Sequence, residues 1–355
     1  MTQHLDQAGN VRESEAFDPK LILPFLQSQI AGLNGAMELQ QFQGGSSNLT
    51  YLLKVGEREM ILRRPPSGTK AKSAHDMGRE FRIMQRLNPH FPCPKPLAYC
   101  DDESLIGSTF YVMEKIRGTI LRRDLPKDLS YTPEQAHKLC TNLLDMQIRL
   151  HQLDYETLGL SDMGKPRGYV ERQITGWCER FSKVPTDDVP KCENIMAWLK
   201  AKMPPDSSKS SIIHNDYRYD NVLLSPDDHQ TIIGVLDWEM ATLGDPLMDL
   251  GSSLAYWVQA DDSKIMQSIR MQPSNLPGML TREEIVRYYG EKTGREIHNL
   301  DFYYVFGLFR LAVIAQQIYY RWKLGQSKNP KFQMFGLFVS VLAQVSEQVI
   351  AQSKL

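Results

Sequence analysis

Cysteine is scarce: the 355 residues hold five (Cys93, Cys100, Cys140, Cys178, Cys192), odd in number, widely spaced and without a C-x-x-C pair. This excludes a disulfide framework and a structural zinc site. Charge of one sign is lacking too. Lys plus Arg total 41 against 42 for Asp plus Glu, a net charge of -1, so no global basic field exists to hold nucleic acid or an anionic membrane surface. Long apolar runs are also missing, since the late ones are cut by Arg310 or end within about a dozen residues, too short to span a bilayer. The opening MTQHLDQAGNVRESEAF lacks the basic-then-apolar pattern of a signal peptide. The expectation is a cytoplasmic protein without a nucleic-acid or membrane partner.

What is present reads as an ordinary globular chain, with 42% hydrophobic and 23% charged residues. Its length suggests roughly two compact units at about 150 residues per domain. Residues 1–17 are polar and aperiodic and read as a flexible tail. From Met37 to Arg64 the stretches ELQQF, NLTYLLKV and EMILRR alternate with turn residues and predict a strand meander. Apolar spacing at Met77, Phe81, Met84 and Leu87 predicts a helix, and PLAYC and STFYVMEKI two further strands. Beyond Gly118 helices dominate. Thr132-Pro133-Glu134-Gln135 and Thr281 to Glu284 are capping-box starts, residues 302–324 form another helix, and Phe335, Phe338, Leu342, Val345 and Val349 repeat the 3, 4 spacing. The division is a nucleotide-binding lobe over 18–115 and a catalytic and substrate lobe over 116–355, an α+β fold.

One β-rich island interrupts the helices, SIIHNDYRYDNVLLSP followed by QTIIGVLDWE. It contains His214-x-Asp216-x-x-x-x-Asn221 and, sixteen residues later, Asp237 after the apolar run TIIGVL. Phosphoryl transfer from a nucleotide asks for this set, because the transferring group is stabilised mainly by positioning and by metal charge. One carboxylate orients the attacking hydroxyl and accepts its proton, the role that suits Asp216. A second carboxylate and an amide oxygen hold Mg²⁺ against the phosphates, the role that suits Asp237 and Asn221. Asp and Asn beside strands are also ordinary turn formers, and the same residues read singly give two hairpin loops.

The HxDxxxxN motif with its LDWE segment resembles the aminoglycoside phosphotransferase family of kinase-like enzymes. HNDYRYDN, the LRRPP strand end and GDPLMDLG are similar to the phosphotransferase domain found linked to acyl-CoA dehydrogenases. The resemblance covers residues 35–325. It implies a protein-kinase-like bilobal fold, with a small β-rich N-lobe and a larger, mainly helical C-lobe, and ATP and Mg²⁺ as cofactors. It also implies that Gly44, Gly45, Ser46, Ser47 and Asn48 form a phosphate-cradling turn. By the same resemblance Arg63 stands where kinases carry a phosphate-gripping lysine, Glu80 is the candidate partner that would orient it, and Glu114 and Lys115 lie where a kinase hinge would meet adenine. The family usually has glycine where this chain has Asn215. Asp245 and Asp249 match acids that cap the next helix, and Arg218 and Asp220 are read as buttresses of the loop.

The resemblance implies a hydroxylated small molecule as the acceptor. From Ala255 to Leu355 there are twelve Lys plus Arg against eight Asp plus Glu, and Arg310 to Lys331 holds five basic residues and no acid. This disfavours a polycationic acceptor and favours an anionic one such as a hydroxyacyl-CoA, though a solvated basic helix end has the same composition. Aminoglycoside or choline-type kinases and a nucleotide-binding pseudokinase regulator are the alternatives. A protein kinase fits least, since D-F-G and A-P-E are missing.

Overall fold

The computed structural model describes residues 7–42, 48–66, 76–207, 209–327 and 329–355. Among these, the strands are β1 (Met37–Gln41), β2 (Leu49–Val55), β3 (Arg58–Arg64), β4 (Pro96–Cys100), β5 (Phe110–Glu114), β6 (Ser211–Ile213), β7 (Val222–Leu224), β8 (Ile232–Val235) and β9 (Thr242–Gly244). The helices are α1 (Leu23–Gln29), α2 (Met77–Leu87), α3 (Pro133–Gln152), α4 (Tyr169–Ser182), α5 (Glu193–Ala201), α6 (Pro246–Ala255), α7 (Lys264–Ile269), α8 (Arg282–Thr293), α9 (Leu300–Lys323) and α10 (Phe335–Gln352). They form two compact units. The first comprises Met1–Ile120, Glu156–Leu160 and Asn221–Met240, and the second Leu121–Tyr155, Ser161–Asp220 and Ala241–Leu355.

The first unit is built on an antiparallel sheet in the order β1-β2-β3-β5-β4, so β3 is the central strand and both its faces are covered. Strand alternation sends neighbouring side chains to opposite faces. Leu62 packs with Tyr51, Leu53, Val112 and Phe110 and with Ile22 and Leu26 of the α1 region. Arg64 lies in that half of the sheet, its guanidinium 5.1 Å from the Phe17 ring and bonded to the Tyr51 hydroxyl. Residues 7–17, expected to be a tail, run along the sheet. Gly9 bridges to Gln41, and the Glu15 carbonyl accepts from the Tyr51 hydroxyl and from Arg64. Backbone groups make these contacts, which is why side-chain periodicity does not reveal them.

Asp76 caps α2 by accepting from the Arg79 N–H at 2.8 Å, and the helix buries Met77, Ile83, Met84 and Leu87 together with the acid Glu80. The chain returns to this unit for the β7–β8 hairpin, which is tied in by a Thr119–Leu224 bridge and by the Val235 N–H on the Pro92 carbonyl.

In the second unit both expected capping boxes are formed, at Thr132 and Thr281, and Asp245 caps α6 by accepting from the Leu247 N–H. β6 pairs with β9. The long helix α9 is buried on most sides by α4, α6 and α10, which explains its near-continuous apolar sequence. It meets α6 where a Cβ on Gly307 would overlap the Gly251 carbonyl, and one on Gly251 the Tyr303 carbonyl. Backbone on both sides cannot move aside. Gly307→Ala is therefore expected to cost at least about 1–3 kcal/mol, read as a lower urea midpoint; an unchanged midpoint would contradict this close crossing.

The segment Pro330–Gln352 is long and apolar enough to cross a membrane by length and composition, a longer run than the dozen residues read from the sequence. Val339, Val341, Leu342, Ala343 and Ser346 are the buried side chains of α10, which packs on α9. All five cysteines are buried thiols without disulfides, and no cluster of three or more metal-ligating side chains occurs among the described residues.

Candidate active site

In the first unit three carboxylates converge on one guanidinium. Arg63 projects from the central strand β3, and its Nη1 donates to Glu80 Oε1 of α2 at 2.7 Å while Nη2 donates to Asp237 Oδ1 at 3.0 Å. Glu239 Oε2 stands 3.9 Å from the same Nη2 and accepts from Asn48 Nδ2 at 2.7 Å. Arg63 is nearly enclosed and Glu80 fully so, whereas 31% of the Asp237 side chain remains accessible. Burial alone would weaken the Arg63 charge, but Glu80, with Tyr111, Asp237 and Glu239, outweighs it and holds the guanidinium firmly protonated. Burial pushes the Glu80 carboxyl up against the pull of Arg63. Arg63 Nε is buried without a hydrogen-bond partner among the described residues, a donor that suits an anionic oxygen.

Asp237 follows β8 with a φ of 66°, in the left-handed region, where Asp is among the residues that tolerate the strain. The Asn221 carbonyl accepts from the Leu236 N–H at 2.8 Å. That bond ties the segment bearing Asn221 to the residue immediately before Asp237, so the two metal-ligand candidates are neighbours within this unit.

In the second unit Asp216 sits on the loop after β6. Its N–H donates to His214 Nδ1 at 3.3 Å, and its carboxylate lies 3.4 Å from Arg218 Nε. Arg218 also pairs with Asp220 at 2.8 Å, as expected of a buttress. Asn215 takes a φ of 65°, which accounts for the glycine usual at this position; Asn is the substitute that bears the left-handed conformation best.

Asp249 does not cap a helix. Fully buried inside α6, it accepts from the N–H groups of His214 at 3.2 Å and Asn215 at 2.6 Å. It also accepts from His151 Nε2 at 2.9 Å and Gln147 Nε2 at 3.2 Å, and the Tyr289 hydroxyl meets the other His151 nitrogen at 2.8 Å. Asp249 thus holds the backbone just before Asp216.

Of the predicted residues, Arg63, Glu80, Asp237 and Asn48 meet in one cluster, although Asn48 turns its amide to Glu239. Gly44, Gly45, Ser46 and Ser47 lie outside the described residues. Glu114 is exposed at the end of β5 with its N–H on the Lys95 carbonyl, and the Lys115 ammonium pairs with Glu59 at 3.0 Å. Of the basic residues in 310–331, Arg310 is buried with its guanidinium 5.2 Å from the Trp177 ring, and Lys323 pairs with Asp188 at 3.0 Å. The stretch is therefore not a row of available cations; among the described residues Arg321, Lys323 and Lys331 are its exposed members, Lys323 in its ion pair with Asp188. Glu239 escaped the sequence reading, though a second acid two residues after Asp237 was the signal for it.

Residues 38–296 match the model of a phosphotransferase enzyme family. The chain is 35% identical over 315 residues to acyl-CoA dehydrogenase family member 10 of Mus musculus, which is 88% of this chain but 29% of that relative. A crystal structure from Ralstonia eutropha, assigned as an aminoglycoside phosphotransferase, superposes with a TM-score of 0.81 at 29% identity, covering 96% of this chain and 100% of that one. A thermostable variant of an aminoglycoside phosphotransferase, in complex with ADP and hygromycin B, superposes at 0.59 with 14% identity over 94% and 99% of the two chains. The expected α+β, protein-kinase-like fold holds, with its small antiparallel lobe and larger helical one.

Proposed function

The chain belongs to the phosphotransferase enzyme family, and we propose that it moves the γ-phosphoryl group of ATP to a hydroxyl of a small anionic acceptor, a hydroxyacyl-CoA being the most concrete choice. The observation that carries this reading is the Arg63 cluster. Its orphan buried Nε–H suits a phosphate oxygen, and a guanidinium grips phosphate through paired N–H groups. Three carboxylates around one fixed cation leave a negative excess that suits a divalent metal. Mg²⁺ takes oxygen ligands, and the accessible Asp237 carboxylate with the Asn221 amide oxygen would hold it. When bound, the ion neutralises charge on the phosphates. Asp216 orients the acceptor hydroxyl and takes its proton.

The anionic acceptor is supported by the stretch 302–346, which contains no Asp or Glu, and by the similarity to a protein named for acyl-CoA dehydrogenation. Calorimetry with ATP, with and without Mg²⁺, tests the nucleotide half. Asp237→Ala is expected to abolish the metal-dependent gain in affinity, and an unchanged gain would remove Asp237 from the metal site. An ATPase-coupled screen of hydroxyacyl-CoA esters, choline-type alcohols and aminoglycosides tests the acceptor. Efficient turnover of kanamycin-like amines with inert CoA esters would replace the anionic reading, and nucleotide binding without any turnover would favour a pseudokinase regulator.

A further inference from the structure

In the sheet of the first unit one row of side chains lies under α2. Arg63 of β3 stands opposite Tyr111 of β5, and Tyr111 opposite Tyr99 of β4; residues directly opposite one another leave the same face of a sheet. Phe81 of α2 covers the row, its ring centroid 5.7 Å from that of Tyr99 and 6.4 Å from that of Tyr111. The two tyrosines differ in surroundings. Tyr99 is partly exposed, whereas Tyr111 is fully buried and its hydroxyl has no hydrogen-bond partner among the described residues. Phenylalanine would fill that space without burying a polar atom, so packing does not account for the hydroxyl.

The neighbouring carboxyl group does. Arg63 Nη1 donates to Glu80 Oε1 at 2.7 Å, while Glu80 Oε2 is buried with no partner among the described residues. Burial holds the Tyr111 phenol well above its ordinary range, against the pull of Arg63 and with the help of Glu80, so the hydroxyl keeps its proton and can donate it. On the Glu80 side, Arg63, the Tyr111 hydroxyl and the Trp238 N–H all work against the burial that raises the carboxyl, and Asp237 works with it. Every one of these groups belongs to the first unit.

Resting on the phosphotransferase reading above, we infer that Tyr111 is a positioning residue: its hydroxyl donates to Glu80 Oε2 and, through Glu80, fixes the Arg63 guanidinium for a phosphate oxygen. The terminal torsion of a glutamate is broad, and a carboxyl group held through one oxygen can turn about it. A donor on each oxygen removes that freedom. What is at stake is the direction of Arg63, because Asp237 and Glu239 attract the same guanidinium through Nη2, from 3.0 and 3.9 Å. With Glu80 fixed, Nη1 stays committed to α2 and the buried Nε–H keeps its direction.

The test is calorimetry of MgATP and of adenosine on the full chain, on Tyr111→Phe, on Glu80→Gln and on the double variant. Tyr111→Phe is expected to weaken MgATP binding about tenfold, the range for a hydrogen bond to a charged group, and adenosine, which carries no phosphate, by less than about twofold. In the Glu80→Gln background the same change should add less than about twofold, because the group it acts through is already altered. Tyr111→Met, which also lacks the hydroxyl, stands in if the phenylalanine variant fails to fold, and Glu80→Asp if the glutamine variant does. Equal MgATP affinity in parent and Tyr111→Phe, adenosine weakened as much as MgATP, or full additivity in the double variant would overturn the assignment and leave Tyr111 a core residue. Failure of the parent to bind MgATP would instead overturn the phosphotransferase reading, and this inference with it.

Discussion

Asp216→Asn is expected to lower turnover by about 10² to 10⁴, the usual contribution of a positioned base, while leaving ATP affinity unchanged. Asparagine keeps the shape of the side chain, and its amide oxygen can still accept from the Tyr256 hydroxyl. The Asp216 N–H still donates to His214 Nδ1, so the loop is expected to hold its course. What is lost is proton affinity, together with the charge that faces Arg218. Steady-state kcat with the acceptor found by the screen, beside calorimetry with ATP, separates the two effects. Equal kcat in variant and parent would exclude Asp216 from proton transfer.

Asp249→Ala should have the largest effect on stability. Four donors converge on this fully buried carboxylate: the N–H groups of His214 and Asn215, His151 Nε2 and Gln147 Nε2. Alanine leaves all four without an acceptor in a dry interior, and removing one partner from such a site costs about 3–5 kcal/mol, a large share of the roughly 5–15 kcal/mol that hold a domain together. Burial alone would raise the Asp249 carboxyl, but bonding to His151, the charges of His151 and His214 and the Asn215 N–H outweigh it and hold it below the ordinary range. A carboxyl depressed in the folded state contributes stability that is complete above its unfolded pKa, about 4, and is lost as pH falls through the lower folded value. Urea denaturation at neutral pH and in acid should show the parent losing stability below about pH 4 by more than Asp249→Ala does. A neutral-pH loss under 1 kcal/mol would show that the loop is held by other contacts.

Local chemistry made much of the molecule readable in advance. The capping boxes at Thr132 and Thr281 work through residues three apart, so the helices they open were visible without any partner. Period-two alternation in EMILRR separated Arg63 from Arg64, and the two do serve different surroundings, Arg63 bonding Glu80 and Asp237 and Arg64 the Tyr51 hydroxyl and the Glu15 carbonyl. Other features depend on partners far along the chain. The strap formed by residues 7–17 is held by backbone groups, and the neutralisation of Lys323 comes from Asp188. Asp249 looked like a helix cap because Asp245, four residues earlier, is one; its own bonds reach residues 34, 35 and 98 positions away.

By itself the sequence determined the elements and the side chains on offer: a strand-rich first portion, helices behind it, and two carboxylates and an amide at the spacing on which the phosphoryl-transfer proposal rests. Those are set by side-chain periodicity and residue type, which act over a few positions. Only the tertiary structure decided which charges face one another. It put Arg63 among three carboxylates, turned Asn48 to Glu239, spent Arg310 against Trp177, and set Arg218 beside Asp216. Electrostatic energy depends on distance and on exclusion of water, and neither quantity exists until segments remote in the chain have packed together.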